Sequence, residues 1–146
     1  MKTANRASIA IMACMMSLAA IAQSPKQRDA ENLARFQHYA SPPQDSMHYF
    51  RLDRFQSLGP NAQGDDVLAV WTGVNQVYLL TVESPCLRLE YANAIALTST
   101  SGNVNARMDY IRYGRDRQCR IETIRKVDYK AMRAARSSAQ PSGGGT

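Results

Sequence analysis

Histidine is almost absent from this chain: His38 and His48 are the only two in 146 residues. They stand ten positions apart across Pro42-Pro43, so they cannot be the paired ligands of a helical metal site and read as surface or hydrogen-bonded histidines. Cysteine is scarce too, with three residues and no C-x-x-C pair, which argues against a dithiol redox site. No G-x-S-x-G, H-E-x-x-H, P-loop or G-x-G-x-x-G stretch occurs, so no serine sits in a recognisable nucleophile elbow and no glycine loop is built for phosphates. Asp65 and Asp66 are adjacent. On a strand they would point to opposite faces, so they read as a turn and strand start rather than as paired catalytic carboxylates. These gaps lead to an expectation of no cofactor, no metal site and no catalytic residue set. No internal repeat is visible, and past Ala22 no apolar run is long enough to cross a bilayer.

What is present at the N-terminus speaks to location. Lys2 and Arg6 precede Ala7–Ala22, ASIAIMACMMSLAAIA, which carries no charge, and Ala20-Ile21-Ala22 has the small-x-small form of a cleavage site. This pattern predicts a signal peptide over 1–22, cut after Ala22, and an exported protein, periplasmic or secreted. Two rivals remain open. One is a membrane anchor, although the apolar stretch is short of the ~20 residues a span needs. The other is lipid attachment at Cys14, because Ile11-Met12-Ala13-Cys14 loosely resembles a lipoprotein box; the apolar run, however, continues past it. Cleavage would remove Lys2 and Arg6 and lower the net charge from +6 to +4.

It would also leave two cysteines, Cys86 and Cys119. An even count in an exported chain points to a disulfide. The bridge would close a loop of about 33 residues and contribute roughly 2–4 kcal/mol through loop entropy.

The centre of the chain is Asp66–Val82, DVLAVWTGVNQVYLLTV. Two short β-branched and aromatic runs around Gly73-Val74-Asn75 predict a β-hairpin, apolar on both faces and therefore central. Ser24-Pro25 starts a predicted amphipathic helix over 26–39, stopped by Pro42-Pro43. His48–Leu58 reads as one strand, bulged near Arg54, and Gly59–Asp65 as a turn. Residues 86–93 fit a strand or a helical turn equally well. Ile95–Ser99 and Val104–Arg112 read as a second hairpin, since Val104, Ala106, Met108 and Tyr110 alternate with polar residues. Ile121–Val127 is a further strand, and Asp128 caps a final helix from Tyr129 to about Arg136.

The predicted fold class is α+β, mainly β: a small antiparallel barrel or curled sheet of about five or six strands, with a helix at each end of the chain packed over an edge or open end. A single β-rich domain would occupy 23–136, and 137–146, ending in PSGGGT, would be a disordered tail. With 45% apolar and 21% charged residues the chain can fill one core.

Charge offers the remaining functional clue. Between Arg107 and Arg136 ten basic residues face four acids, with Tyr110, Tyr113 and Tyr129 interleaved. Such a stretch can hold polyanions, although a solvated surface is the commoner meaning. No known nucleic-acid module is matched, so an anionic envelope component, or another envelope protein, is the expected partner. Candidate contacts are Arg107, Arg125, Arg133 and Arg136, together with Trp71 and Tyr78, which could stack across the hairpin or line a groove but more often belong to a core. Asp53 and Asp109 are single acids expected to pair with nearby arginines.

From about Leu33 to Met132 the chain resembles an uncharacterised family of exported bacterial proteins, a DUF6491-like domain of unknown function. The segments that carry the resemblance are FRLDRFQSLG (50–59), DVLAVWTGVNQVYLL (66–80), the Cys86 segment reaching AIALTS (94–99), and CRIETIRKVD (119–128). The resemblance implies export, a small β-rich domain and a cysteine pair at these places. It brings no activity and no catalytic residues. This sequence departs from the pattern in having Lys126 where proline is expected. Two functions are therefore weighed: a non-enzymatic envelope module that binds or braces, held by one disulfide, and a small hydrolase or isomerase with a site assembled from scattered polar residues such as Asp53, Asp109 or a histidine.

Overall fold

Ser24 caps the first helix. In the computed structural model, which describes residues 23–139, its hydroxyl accepts from the Gln27 amide while the Gln27 side chain returns to the Ser24 amide. This reciprocal pair satisfies two otherwise orphan donors, and helix α1 runs Pro25–His38. The predicted signal peptide, Cys14 and residues 140–146 of the predicted tail lie outside the described residues.

Eight strands follow: β1 (Ser46–His48), β2 (Arg54–Pro60), β3 (Asp66–Gly73), β4 (Gln76–Val82), β5 (Ile95–Leu97), β6 (Asn103–Asn105), β7 (Tyr110–Tyr113) and β8 (Arg117–Val127). Six form one antiparallel sheet in the order β2-β3-β4-β8-β7-β5. The sheet curls into a half-barrel, and β1 and β6 pair as a separate two-stranded ribbon. Helix α2, Tyr129–Ala139, ends the description. Asp128 caps it by accepting from the Ala131 amide at 3.0 Å. The helix continues through Ser137 and Ser138, beyond the expected end at Arg136.

The central hairpin is β3–β4, with strand neighbours on both sides and an apolar cluster against each face. The inner face carries Leu68, Val70, Tyr78, Leu80 and Val82, packed with Ile111, Ile121 and Ile124. Each fully buried aliphatic here contributes roughly 1.5–3 kcal/mol. The β1–β6 ribbon covers this inner core with Met47 and Val104, which face each other in the ribbon and are both buried. A bulge in β8 lets Ile121 and Ile124, three positions apart, share the inner face opposite Val82 and Leu80.

The outer face carries Val67, Ala69, Trp71, Val77 and Leu79, and both helices press on it through Leu33, Phe36 and Met132. The helices thus cover a face rather than an edge or open end. A two-faced apolar hairpin requires this, since either face left in water would expose a row of aliphatic side chains.

Two predicted strands prove to be broken. His48–Leu58 divides between β1 and β2, which belong to different sheets, and the bulge falls at Leu58 instead of near Arg54. Gly59, at φ +79°, supplies the left-handed backbone the bulge needs. The second hairpin also dissolves. Thr98 and Tyr110 are joined, but β5 pairs with β7 while β6 leaves to pair with β1. The break is at Arg107, held at φ +66° in a turn in which Asp109 accepts from the Asn105 amide at 2.7 Å. Met108, placed on the apolar side by the alternation, is in fact 74% exposed. The ambiguous stretch after Cys86 is a 3-10 turn at Leu89–Tyr91.

A disulfide joins Cys86 to Cys119, with 6.0 Å between Cα atoms. It ties the segment leaving β4 to the first third of β8. Lys126, the departure from the family pattern, uses the amide that a proline would lack: it donates to the Ser41 hydroxyl at 3.1 Å.

Candidate functional site

A cleft of about 350 Å³ opens where α1, α2 and the outer face of β2–β3 meet. Its character follows from three sequence periodicities. Helical spacing puts Arg35 beside Phe36 at the buried edge of α1, and Arg133 and Arg136 one turn apart on α2. Strand register sets Arg54 of β2 directly opposite Trp71 of β3. The lining therefore gathers Arg35, Arg54, Arg133 and Arg136 around the rings of Trp71 and Tyr129.

Among the described residues no carboxylate lines this cleft, and none lies within 4.0 Å of these four guanidinium groups. Arg54 is the most fixed. Its guanidinium lies 4.1 Å over the Trp71 ring, and Nη2 donates to the Tyr129 hydroxyl at 3.1 Å. Arg35 is steadied by donating to the Asn32 side-chain oxygen. Arg133 stands 6.0 Å over the Tyr129 ring. Trp71 is 5% exposed, and its buried indole N–H finds no hydrogen-bond partner among the described residues. Guanidinium forks held on aromatic faces, with no counter-ion in reach among the described residues, suit a phosphate, sulfate or carboxylate group, each fork giving parallel charge-assisted hydrogen bonds.

The sequence-level candidates divide. Trp71, Arg133 and Arg136 meet in the cleft. Trp71 and Tyr78 do not stack: Trp71 pairs with Val77 on the outer face, whereas Tyr78 pairs with Val70 on the inner. Arg125 serves the backbone, donating to the Ser41 and Ala40 carbonyls at 2.7 and 3.1 Å and fixing the segment after α1 along β8. Arg107 lies in its turn, 3.8 Å from Asp45. Arg35 and Arg54 complete the cleft and are not among the contacts expected from sequence, whereas Tyr129 is one of the aromatics interleaved in the basic stretch. Arg35 shares the Asn32/Phe36 side of a legible amphipathic helix, but Arg54 depends on the β2–β3 register.

The polar residues weighed for catalysis are not gathered. Asp53 pairs with Arg51 at 2.6 Å. Asp109 is a structural hub, accepting from the Thr98 hydroxyl at 2.8 Å and from the Asn105 amide and side chain. His48 contacts the Asn103 side chain at 3.1 Å, and His38 packs edge-on against Tyr39. Among the described residues no group of three metal-ligating side chains comes together, and no helix is long and apolar enough to cross a membrane.

One carboxyl is electrostatically unusual. Partial burial, followed by the nearby Glu90 charge, holds Asp66 above the ordinary aspartate range, against the lowering effect of the Cys86 amide. The folded state thus binds this proton more tightly than the unfolded chain. Stability attached to Asp66 is present at low pH and falls as pH rises through the interval just above ~3.9. Asp66→Asn is expected to flatten that fall and to gain on the parent between about pH 4 and pH 7. Urea titrations at the two pH values check this; an unchanged pH slope would show that Asp66 is not responsible.

These features define a class: a disulfide-braced, half-barrel β-domain with two helices on its outer face and an arginine-lined cleft beneath them. The family model described as "Family of unknown function (DUF6491)" matches residues 3–143, and the chain belongs to that family. No curated protein and no solved structure matches it.

Proposed function

We propose that this protein is an exported, non-enzymatic binding module of the cell envelope, which holds an anionic envelope component in the cleft between its two helices. The observation that carries the reading is the convergence of Arg35, Arg54, Arg133 and Arg136 on one aromatic-walled cleft that, among the described residues, no carboxylate lines. A solvated basic surface would spread its charges apart. Here four meet, one of them with its guanidinium 4.1 Å over the Trp71 ring. Export is supported by the Lys2/Arg6, Ala7–Ala22 and Ala20-x-Ala22 pattern and agrees with a chain that carries a disulfide.

Binding at such a site should be strongly salt-dependent, because screening shortens from ~10 Å at 0.1 M to ~3 Å at 1 M. Inorganic pyrophosphate is a suitable small probe. Titration calorimetry should show binding at low salt that fades as salt rises. Replacing Arg133 and Arg136 together with Gln should weaken it by about tenfold or more. The melting temperature should hardly move, since both side chains are exposed on α2. Arg28→Gln, at the far end of α1, should leave binding unchanged. Absence of binding at low salt, or equal binding by the Arg133/Arg136 variant, would overturn the reading.

A further inference from the structure

The opposite edge of the sheet carries a second, different concentration of arginine. Tyr91, Arg88, Arg112, Arg115 and Arg117 line an open hollow of about 960 Å³ beside β5 and β7, where Asp116 is the one acid among the described residues. Glu90 is exposed in the same turn. Among the described residues no carboxylate pairs with any of these four arginines. Next to them Leu87 is 69% exposed and Tyr91 75% exposed.

A single exposed apolar side chain means little. This pair differs because the fold holds it out. Cys86 is tied to Cys119, and the Leu87 carbonyl accepts from the Tyr113 hydroxyl at 3.1 Å and from Arg117 Nη1 at 3.2 Å. Leu89, between the two exposed residues, is buried in the inner core. Arg88 sits at φ +65°, a left-handed conformation that side-chain-bearing residues seldom adopt. The turn is thus anchored through Cys86 and Leu89 while Leu87, Arg88 and Tyr91 stand outward.

We propose that this end of the molecule docks on an anionic bilayer surface, with Leu87 and Tyr91 entering the interfacial layer and Arg88, Arg112 and Arg115 meeting lipid phosphates. Charge complementarity selects an anionic partner. The apolar pair selects a bilayer among anionic partners, since it offers an apolar layer directly beneath its charges, and tyrosine favours that boundary. A soluble polyanion satisfies the arginines alone. The cleft and this hollow share no lining residue, so separate variants read the two sites.

Vesicles of phosphatidylglycerol in phosphatidylcholine, against phosphatidylcholine alone, provide the test by co-sedimentation. Parent and variants are compared in one form, so that any contribution from Ala7–Ala22 cancels. The double variant Leu87→Ser/Tyr91→Ser is expected to lower partition onto anionic vesicles by about tenfold or more. Arg112→Gln/Arg115→Gln should lower it comparably and remove most of its salt dependence, whereas Arg28→Gln, which lines neither the hollow nor the cleft, should leave it unchanged. Emission from Tyr91→Trp should shift to the blue and be quenched by brominated lipid. Equal partition of the Leu87/Tyr91 variant, or an unquenched Tyr91→Trp, would overturn the proposal. So would binding to dextran sulfate as strong as to vesicles and indifferent to Leu87→Ser/Tyr91→Ser, which would assign the face to a soluble polyanion. Pyrophosphate titration of these variants reads the cleft separately, so failure at one site is distinguishable from failure at the other.

Discussion

Trp71→Ala is expected to lower the stability of the domain by about 3–5 kcal/mol, the range for removing a large buried aromatic side chain. Trp71 is where both helices meet the sheet. Phe36 of α1 and Tyr129 of α2 each pack edge-on against it with ring centroids 5.8 Å away. Removing the ring leaves a void against α1, α2 and β2 together, and no single neighbour can fill it. Set against a typical total of roughly 5–15 kcal/mol, the loss brings the fold near its margin. Trp71→Phe separates packing from hydrogen bonding. It keeps an aromatic ring and deletes an indole N–H that has no partner among the described residues, a buried group that costs about 1–3 kcal/mol when unsatisfied. The phenylalanine variant should therefore lose much less than the alanine one. Urea unfolding followed by far-ultraviolet circular dichroism measures both. A loss under about 1 kcal/mol for Trp71→Ala would mean that the helices do not depend on this ring. Pyrophosphate affinity should fall in Trp71→Ala as well, because Arg54 loses the surface on which its guanidinium lies.

The parts of this fold that were legible in sequence are those settled by near neighbours. The β3–β4 hairpin needs only Gly73 to Gln76 to turn and an apolar run on each side, and its pairing keeps those runs in register from Val67–Thr81 to Trp71–Val77. Ser24-Pro25 and Asp128 announce their helices because a cap acts within one turn. The disulfide needed only an even count once the N-terminal segment was set aside.

The parts that stayed hidden depend on partners distant in the chain. Val104 alternates correctly with Ala106, Met108 and Tyr110, yet its partner is Met47, across the β1–β6 ribbon. The alternation is interrupted by a backbone event, the left-handed Arg107, and by an acid that bonds within its own turn. Asp109 looked available for an arginine; the Thr98 hydroxyl and the Asn105 amide take it instead. The cleft was half hidden for a similar reason. Arg133 and Arg136 stood out in a basic stretch, but Arg54 joins them only because its strand pairs opposite Trp71 and because Leu58 takes up one residue in a bulge. A shift of one residue would turn Arg54 to the inner face.

Removing the Cys86–Cys119 bridge is expected to cost roughly 3–4 kcal/mol, the loop-entropy value for cross-linking residues 33 apart. The enclosed segment contains the Leu89–Tyr91 turn, β5, β6 and β7, so the bridge constrains a whole end of the half-barrel in the unfolded chain. In the folded state that end is held by Leu89, Leu97 and Ile111 in the inner core, by short strands, and by the Tyr113 and Arg117 bonds to the Leu87 carbonyl. Strands β5 and β7, of three and four residues, give little cooperative support of their own. Reduction should therefore shift the urea midpoint sharply downward, and hydrogen exchange should quicken first in residues 87–97 while the amides of β3 and β4 stay protected. Cys86→Ala/Cys119→Ala should follow reduced parent protein closely, with a small extra loss from the missing sulfur atoms, since both positions are buried. It should also weaken vesicle binding, because Leu87 and Tyr91 would no longer be held outward. A parent protein whose thiols are shown to be free, and whose unfolding midpoint is nonetheless unmoved, would mean that packing alone holds the curled end.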